Sequence, residues 1–588
     1  MASVDDLFKR PNLPSGSTKR KFETPNAQQA YKSTKLAHNG SPNRAHANGA
    51  TVEDEAAGDD DDLEAGPELP PDDDDMEGGR FFGGGVTKDA AEALDYIDQQ
   101  EPETYTEERI DSAWLRRLAG SFEKKVNKNA ELRAKYRSVP AKFMASEADL
   151  DAEIKSWSLL SDHPELYVEF AEGETVAMLV GLLAHENTDI AIAAIEIIAE
   201  LLDEDVAAEP EQWDAFVAAL LEADLLDLLM SNLERLDEEE ESDRSGVYHI
   251  LALIEPLIGQ LAIAEKVGSE KLLLWLCNRV RKPEKVLGQN KQYAAEVLQV
   301  LLHSSPLIRR RLALNLDGVD LFLQILAAYR KRDPAKDTHE EEYAENIFDA
   351  LTSVVDEPGG KTKFLEAEGV ELSLIMLKEG TFSKPRALRL LDHACSGHTQ
   401  PAVEVCTKLV EAAGLKGIFS MFMAHTDNVT IEHLLGIFSS LLRLLPGESA
   451  ARIRTLAKFT EKDYAKVAKL IQHRDGYARK IGAVDNEIRQ ERTSLSSSEA
   501  EEREDTWLSR RLDAGLFSLQ TIDMILAWLA AEDVGAKTLV LERVGATAIR
   551  ESLHDQLDGL SELDGSGDTG GEEGDTREML ETLIGCLG

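Results

Sequence analysis

The 588-residue sequence predicts an all-α protein made of stacked helical repeats. Two observations indicate this fold class. From about Glu107 onward, apolar residues recur at helical spacing, and no convincing stretch alternates between apolar and polar residues as a half-buried strand would. In addition, the same arrangement recurs along the chain: a short apolar helix, a polar turn and a longer apolar helix. Such units stack because none of them can bury its own apolar face.

The first part of the chain differs in composition from the rest. Residues 1–50 contain eight Lys/Arg and three Asp/Glu, whereas residues 51–100 contain two and eighteen. Apolar residues are too sparse there to offset the entropy of ordering the backbone. We therefore predict a disordered arm over residues 1–105, basic and then acidic. Because the whole chain has a formal charge of −46, residues 101–588 retain a charge of −35.

The repeats define the predicted domains. Residues 106–170 are expected to form helices that cap the first repeat, which would otherwise expose an apolar end. Residues 171–460 are expected to form the repeats themselves. Glycines in the segments GVDLF and GVELS suit sharp turns between short helices. Residues 461–550 should form a C-terminal helical cap, and residues 551–588 an acidic, glycine-rich tail with a short terminal helix.

One polar column runs through the repeats. Aligning the longer helices by their apolar stripes places these residues at equivalent positions: Glu196, His249, Glu296, Asn346, Arg389 and His433. Successive members are 53, 47, 50, 43 and 44 residues apart. Periods of about 40–47 residues are the signature of armadillo or HEAT repeats, which form a superhelical solenoid, expected here to be right-handed. The column either binds an extended peptide in a groove or is merely a solvated helix face.

Charge and motif content exclude several functions. The negative charge argues against direct nucleic-acid binding, which needs a cationic footprint, and favours a basic partner. The four cysteines are widely spaced and fit a reducing compartment. No apolar run is long enough to span a membrane. The histidines are scattered and no catalytic or zinc motif is present, so we expect no enzyme, no metal site and no cofactor. Cys395 and Cys406 are expected to be packing residues.

A basic cluster in the arm resembles a nuclear localisation signal. Its residues are Lys9, Arg10, Lys19, Arg20 and Lys21. Lysines and arginines on an exposed, extended segment suit the acidic, aromatic-lined grooves of import receptors. We therefore expect the protein in the nucleus, with an import receptor as a partner of this arm.

Several stretches resemble one eukaryotic family, the beta-catenin-like protein 1 family of nuclear armadillo-repeat proteins. The matching blocks are PAKFMASEADLDAEI (140–154), LVGLLAHENTDIAIA (179–193), NLERLDE (232–238), FLEAEGVELSLIMLKE (364–379), RALRLLDHA (386–394) and SRRLDAGLFSLQTI (509–522). They occur in order through most of the folded region. The arm resembles the family only in kind, with a basic cluster followed by an acidic tract.

The resemblance implies a non-catalytic scaffold of the pre-mRNA splicing machinery, associated with the NineTeen complex. It also implies binding to basic, nuclear-localisation-like segments of splicing factors, including a cell-division-cycle-five-like Myb-type protein. Two alternatives remain open from the sequence. One is a cargo adaptor in nuclear transport. The other is an adhesion or signalling scaffold like beta-catenin, although the basic groove of that type is at odds with an acidic folded region.

Overall fold

The computed structural model describes residues 109–424, 427–496, 499–500, 503–563 and 572–587. The chain divides into two compact units, residues 1–116 and residues 117–588. The described part of the first unit is residues 109–116, which include the beginning of helix α1 (Ser112–Lys135). Asp111 accepts hydrogen bonds from the N–H groups of Ala113 and Trp114 at 2.9 and 3.0 Å. These N–H groups have no partner inside the helix, so the bonds stabilise its start.

The described residues of the second unit form helices joined by short connections and contain no β-strand. The predicted all-α class is therefore confirmed. After α1, the helices are α2 (Met144–Lys155), α3 (Tyr167–Glu172), α4 (Thr175–Gly181), α5 (Thr188–Leu201), α6 (Pro210–Glu222), α7 (Leu225–Arg235), α8 (Glu241–Leu257), α9 (Leu261–Val267), α10 (Glu270–Arg281), α11 (Gln289–Ser304), α12 (Pro306–Asn315), α13 (Gly318–Leu326), α14 (His339–Val355), α15 (Pro358–Glu366), α16 (Gly369–Glu379), α17 (Ser383–Cys395), α18 (Gln400–Glu411), α19 (Gly414–Ala424), α20 (Asn428–Leu444), α21 (Ala450–Thr493), α22 (Glu504–Asp513), α23 (Leu516–Glu532), α24 (Val534–Arg543), α25 (Ala546–Leu563) and α26 (Glu572–Cys586).

From α3 to α20 the helices follow in groups of three. Each group ends with its longest member, and we call these members, α5, α8, α11, α14, α17 and α20, the third helices. Consecutive third helices pack against each other, and α23 packs against α20 in the same way. The helix pairs seen in the sequence are the second and third helices of each group. Each group of three helices is thus one armadillo repeat, and the predicted armadillo/HEAT-type solenoid is confirmed.

The third helices are mostly buried, as helix α5 illustrates. Nine of its fourteen residues are buried, including Ile190, Ile195 and Leu201. Asn187 caps the helix by accepting a hydrogen bond from the N–H of Asp189 at 3.1 Å, a contact typically worth about 1 kcal/mol. A helix packed on so many sides presents only a narrow polar strip to solvent. The strips of the third helices contain the residues of the predicted column.

Tight turns between first and second helices set the repeat geometry. The left-handed residue is not the glycine but the residue before it: Asp317 has φ 49° and Glu368 has φ 57°. The following glycines are required for a different reason. A Cβ on Gly318 would lie 2.5 Å from the Leu312 side chain, and one on Gly369 would lie 2.2 Å from the Phe364 ring. These glycines therefore allow close packing, while their neighbours carry the backbone strain.

Many basic side chains are used inside the fold. They donate hydrogen bonds to backbone carbonyls at or near the ends of other helices: Arg235 to Leu183 and His185, Arg311 to Glu265 and Gly268, Lys361 to His393, and Arg443 to Gly397. The last carbonyls of a helix lack intrahelical partners and carry partial negative charge, so cations stabilise them. These cations contribute to packing, which leaves carboxylates to dominate the surface.

The C-terminal helices complete the unit. Helix α21 is interrupted at residues 461–464, where three consecutive residues have positive φ. Helix α23 packs against α20 and α21, and α25 and α26 pack against α23. Leu553, Leu580 and Leu583 are buried, and Lys537 Nζ donates to the Cys586 carbonyl at 2.8 Å. The described helices of the tail therefore belong to the same packed unit.

Candidate functional site

The polar strips of the third helices form the candidate site. We call this surface the third-helix face and define it by these residues: Glu196, Glu200, His249, Glu255, Glu296, Glu345, Asn346, Asp349, Asp356, Arg386, Arg389, Asp392, His393, Glu432 and His433. Its first half comprises the residues of α5, α8 and α11, and its second half those of α14, α17 and α20 together with Asp356, which directly follows α14. Hydrogen bonds and ion pairs link residues of consecutive third helices along both halves.

The structure places all six residues of the predicted column on this face. Glu196 is exposed, and the other five are half-buried. Glu196 and His249 approach each other, with Oε1 and Nε2 3.9 Å apart. Arg389 and His433 instead pair with acidic residues outside the column. The alignment by apolar stripes therefore located the face but not its main contacts.

The first half carries four carboxylates and no lysine or arginine. Glu255 accepts a hydrogen bond from the Tyr293 hydroxyl at 2.5 Å, and Glu296 accepts one from the Gln292 amide at 3.3 Å. Glu200 accepts one from the Ser158 hydroxyl. These donors are neutral, so they orient the carboxylates without cancelling their charge. A cationic ligand would therefore meet a negative surface here.

His249 does not change this conclusion. Burial lowers the pKa of its imidazole below the usual value, and the opposing effect of Glu196 is smaller. The ring is therefore neutral at pH 7 and does not compensate the charge of Glu196. The Glu196 side chain remains 49% exposed and accessible to a ligand.

The second half contains two arginine–carboxylate pairs between α14 and α17. Arg386 pairs with Glu345, and Arg389 Nη1 lies 2.8 Å from Asp349 Oδ1. Burial raises the pKa of Asp349, and the pairing with Arg389 opposes this effect. The Asp349 carboxylate, which is costly to desolvate, is thus paired with a cation from the next third helix. These pairs join consecutive units and partly cancel the charge of this half.

Histidines face two of the three remaining acids of the second half. His393 Nδ1 lies 2.9 Å from Asp356 Oδ1, and His433 Nδ1 lies 3.1 Å from Asp392 Oδ2. Gly436, one turn after His433, is needed for the second contact. A Cβ at this position would lie 2.1 Å from Asp392 Oδ1, so a larger residue would displace the carboxylate.

Sequence reasoning missed the acidic partners of the column. Asp349 and Asp392 each lie three residues after a column member, Asn346 and Arg389 respectively. Residues three apart are neighbours on a helix surface, so a search of that position along all long helices would have found both acids. Glu255 lies six residues after His249 and offers no such regular signal.

Several other predictions concern the chemistry of single residues. Cys395 and Cys406 are fully buried, and the Cys406 thiol lies 3.7 Å from the Cys395 carbonyl oxygen. Among the residues that the structure describes, no cluster of histidine, cysteine or acidic side chains is arranged to hold a metal ion. The localisation-signal residues, Lys9, Arg10, Lys19, Arg20 and Lys21, lie outside the described residues.

A stack of three-helix repeats with a continuous polar face defines an armadillo-type protein. A family model described as catenin-beta-like, Arm-motif containing nuclear, matches residues 91–554. The chain is 37% identical over 467 residues to the beta-catenin-like protein 1 homolog of Schizosaccharomyces pombe, covering 79% of this chain and 80% of the relative. It is 35% identical over 439 residues to beta-catenin-like protein 1 of Homo sapiens, covering 72% and 77%. The chain therefore belongs to the beta-catenin-like protein 1 family.

Proposed function

We propose that this protein is a non-catalytic scaffold of the nuclear pre-mRNA splicing machinery, associated with the NineTeen complex. It binds basic, nuclear-localisation-like segments of splicing factors, including a cell-division-cycle-five-like Myb-type protein, along the third-helix face. The description of its family as nuclear and Arm-motif containing supports the compartment and the scaffold role. The observation that carries the binding proposal is the first half of the face, with four carboxylates and no lysine or arginine.

The geometry of the face suits an extended basic segment. Packed helices lie about 8–10 Å apart, and an extended chain advances about 3.3 Å per residue. Roughly every third residue of a segment running across the third helices would therefore face a new helix. Lysines or arginines at such intervals would meet Glu196, Glu255 and Glu296 in turn.

Attraction by charge should make the binding sensitive to salt. The Debye length is about 8 Å at physiological ionic strength and falls as salt is added. Binding through exposed carboxylates should therefore weaken steeply with salt, mainly through slower association. Binding that does not change with salt would contradict this mechanism.

A pull-down from nuclear extract tests the assignment to splicing. The tagged full chain is compared with Glu196→Gln/Glu255→Gln/Glu296→Gln and with a matched control, Glu222→Gln/Glu234→Gln/Glu411→Gln. The control removes the same charge from exposed positions on first and second helices. We expect wild type and control to recover NineTeen-complex proteins and a Myb-type splicing factor after nuclease treatment, and the first variant to lose the splicing factor.

The same experiment can overturn the proposal. If import factors and nuclear-pore proteins dominate the recovered material, the protein is instead a cargo adaptor in nuclear transport. If both variants recover the splicing factor equally, the third-helix face does not bind it.

We further infer that the basic cluster in the arm binds an import receptor. A reporter fused to residues 1–50 should accumulate in the nucleus, and Lys19→Ala/Arg20→Ala/Lys21→Ala should abolish that accumulation. An even distribution of the unchanged fusion would contradict the assignment.

A further inference from the structure

The connection between α1 and α2 is a basic patch on an otherwise acidic unit. We call residues 132–146 the α1–α2 turn. They include Arg133, Lys135, Arg137 and Lys142 and no acidic residue, whereas residues 101–588 together have a net charge of −35. Lys135, Arg137 and Lys142 are exposed. Local charge here is therefore opposite to that of the third-helix face.

Apolar side chains are exposed within the same turn. Met144 is 64% exposed and Val139 is 42% exposed, and Pro140 and Ala141 between them are also exposed. Tyr136 is half-buried between two cations, with Lys142 Nζ 4.3 Å and Lys135 Nζ 5.4 Å from the ring centre. Cations, an aromatic ring and two large aliphatic groups thus share about a dozen consecutive residues, a combination typical of docking surfaces rather than of a solvated turn.

The turn is held in one conformation by its backbone. The N–H of Val139 donates to the Tyr136 carbonyl at 2.8 Å, and the N–H of Lys142 donates to the Val139 carbonyl at 3.1 Å. Phe143 is 7% exposed and anchors the end of the turn, with the Ser146 hydroxyl donating to its carbonyl at 2.7 Å. A ligand would therefore not have to order this segment, which lowers the entropic cost of binding.

The nearby acids of neighbouring elements do not neutralise the patch. Arg133 pairs with Glu147 of α2 and, at 2.6 Å, with Glu186 of the loop before α5. Its guanidinium also lies 4.8 Å from the Phe143 ring. The pKa of Glu186 is lowered mainly by Arg133 and also by Arg137. The turn thus has four cations against these two acids and keeps a net positive charge.

We propose that the α1–α2 turn binds an acidic protein segment that carries apolar side chains, such as an acidic amphipathic helix. The carboxylates of the segment would pair with Lys135, Arg137 and Lys142, and its apolar side chains would cover Val139 and Met144. A nucleic acid fits less well, because phosphates offer nothing to cover these aliphatic groups and Tyr136 is already flanked by lysines. This surface is separate from the third-helix face and prefers ligands of the opposite charge.

Fluorescence anisotropy with the full chain tests this proposal. The probe is a labelled synthetic peptide of about 16 residues, with leucines at helical spacing and glutamates at most other positions. Lys135→Gln/Arg137→Gln/Lys142→Gln should weaken its binding at least about tenfold. Met144→Ser, which keeps every charge, should weaken it about fivefold through lost apolar contact. The matched control Lys124→Gln/Lys336→Gln/Lys378→Gln removes three exposed cations elsewhere and should leave the affinity within about twofold of wild type.

Three results would overturn the proposal. The first is no measurable binding of the peptide to the wild-type chain. The second is equal affinity for the wild type and the cation-neutralised variant. The third is tighter binding of an oligouridylate of equal charge, unchanged by Met144→Ser, which would make the turn a nucleic-acid surface. All substituted side chains are exposed or partly exposed, so urea midpoints should stay close to that of the wild type and confirm that the variants fold.

Discussion

The two halves of the third-helix face are built from the same helical repeat but differ in the partners of their carboxylates. In α5, α8 and α11, carboxylates accept hydrogen bonds from neutral hydroxyl and amide groups, and Glu196 stays 49% exposed. In α14 and α17, two arginines pair with the acids, and Asp392 of α17 is only 18% exposed. Equivalent positions of an armadillo repeat can thus join neighbouring units or remain open to a ligand.

The difference follows from where cations occur in the sequence. The third helices of the first half have Arg244 and Lys291, but both side chains donate to backbone carbonyls of the preceding loops, at Glu238 and Lys282 respectively. In α17, Arg386 and Arg389 lie on the face itself and reach back to α14. Two arginines therefore make the second half, with five carboxylates, less negative than its carboxylates alone would, whereas no arginine or lysine offsets the four carboxylates of the first half.

Breaking a pair in the second half should have the largest effect on stability. Arg389→Ala leaves Asp349 partly buried without its cation, and we expect a loss of about 2 kcal/mol in the free energy of unfolding. Asp349→Asn in the same chain should restore part of this loss. Glu296→Gln in the first half should change the free energy by no more than about 0.5 kcal/mol. Urea unfolding of the four proteins checks the comparison, and equal losses from Arg389→Ala and Glu296→Gln would contradict it.

The first half should also respond to acid through His249. Burial lowers the pKa of its imidazole in the folded state, whereas the unfolded value is about 6.5. Below about pH 6.5 the unfolded chain binds the proton more readily, so the free energy of unfolding falls as the pH is lowered toward the folded pKa. One histidine contributes at most about 1.4 kcal/mol per pH unit.

Urea unfolding between about pH 7 and pH 5 measures this effect. His249→Gln should make the decrease in stability with acid less steep. His185, whose pKa is also lowered by burial, should retain its own contribution in that variant. An identical pH dependence for wild type and His249→Gln would show that His249 does not contribute.

Substitutions in the turns between first and second helices should have the smallest effects on stability. These effects should be alike in the repeats of the first half and in those of the second half. Asp224 in the first half and Glu368 in the second have positive φ, and neither side chain caps the helix that follows. Replacing either with glycine removes a steric cost, partly offset by backbone entropy, so each variant should gain about 0.5–1 kcal/mol. Thermal and urea unfolding measure both gains. A gain in stability at only one of the two positions would mean that the turns of the two regions differ in backbone strain.

The sequence predicted the repeat and the face because both depend on helical periodicity. Apolar stripes locate the long helices, and the polar column then marks the residues opposite the core. Two of the first helices, α3 and α9, have only six and seven residues, too few to show a clear period. Cross-helix pairs such as Arg389 with Asp349 were missed, since they depend on the stacking distance between units that are 40 residues apart in sequence.

Direct binding of a basic peptide to the third-helix face tests the central claim most directly. A labelled lysine- and arginine-rich peptide of the nuclear-localisation type is titrated with the wild-type chain and two variants of equal charge change. These are Glu196→Gln/Glu255→Gln/Glu296→Gln in the first half and Asp356→Asn/Asp392→Asn/Glu432→Gln in the second. Urea unfolding first confirms that each variant is folded.

We predict that the first-half variant loses at least about tenfold in affinity and most of its salt dependence. The second-half variant should stay within about threefold of wild type, because Arg386 and Arg389 already offset part of the negative charge there and His393 and His433 lie against Asp356 and Asp392 at 2.9 and 3.1 Å. An equal or greater loss in the second-half variant would contradict the account, since the carboxylates of α5, α8 and α11 would then not be the main binding surface.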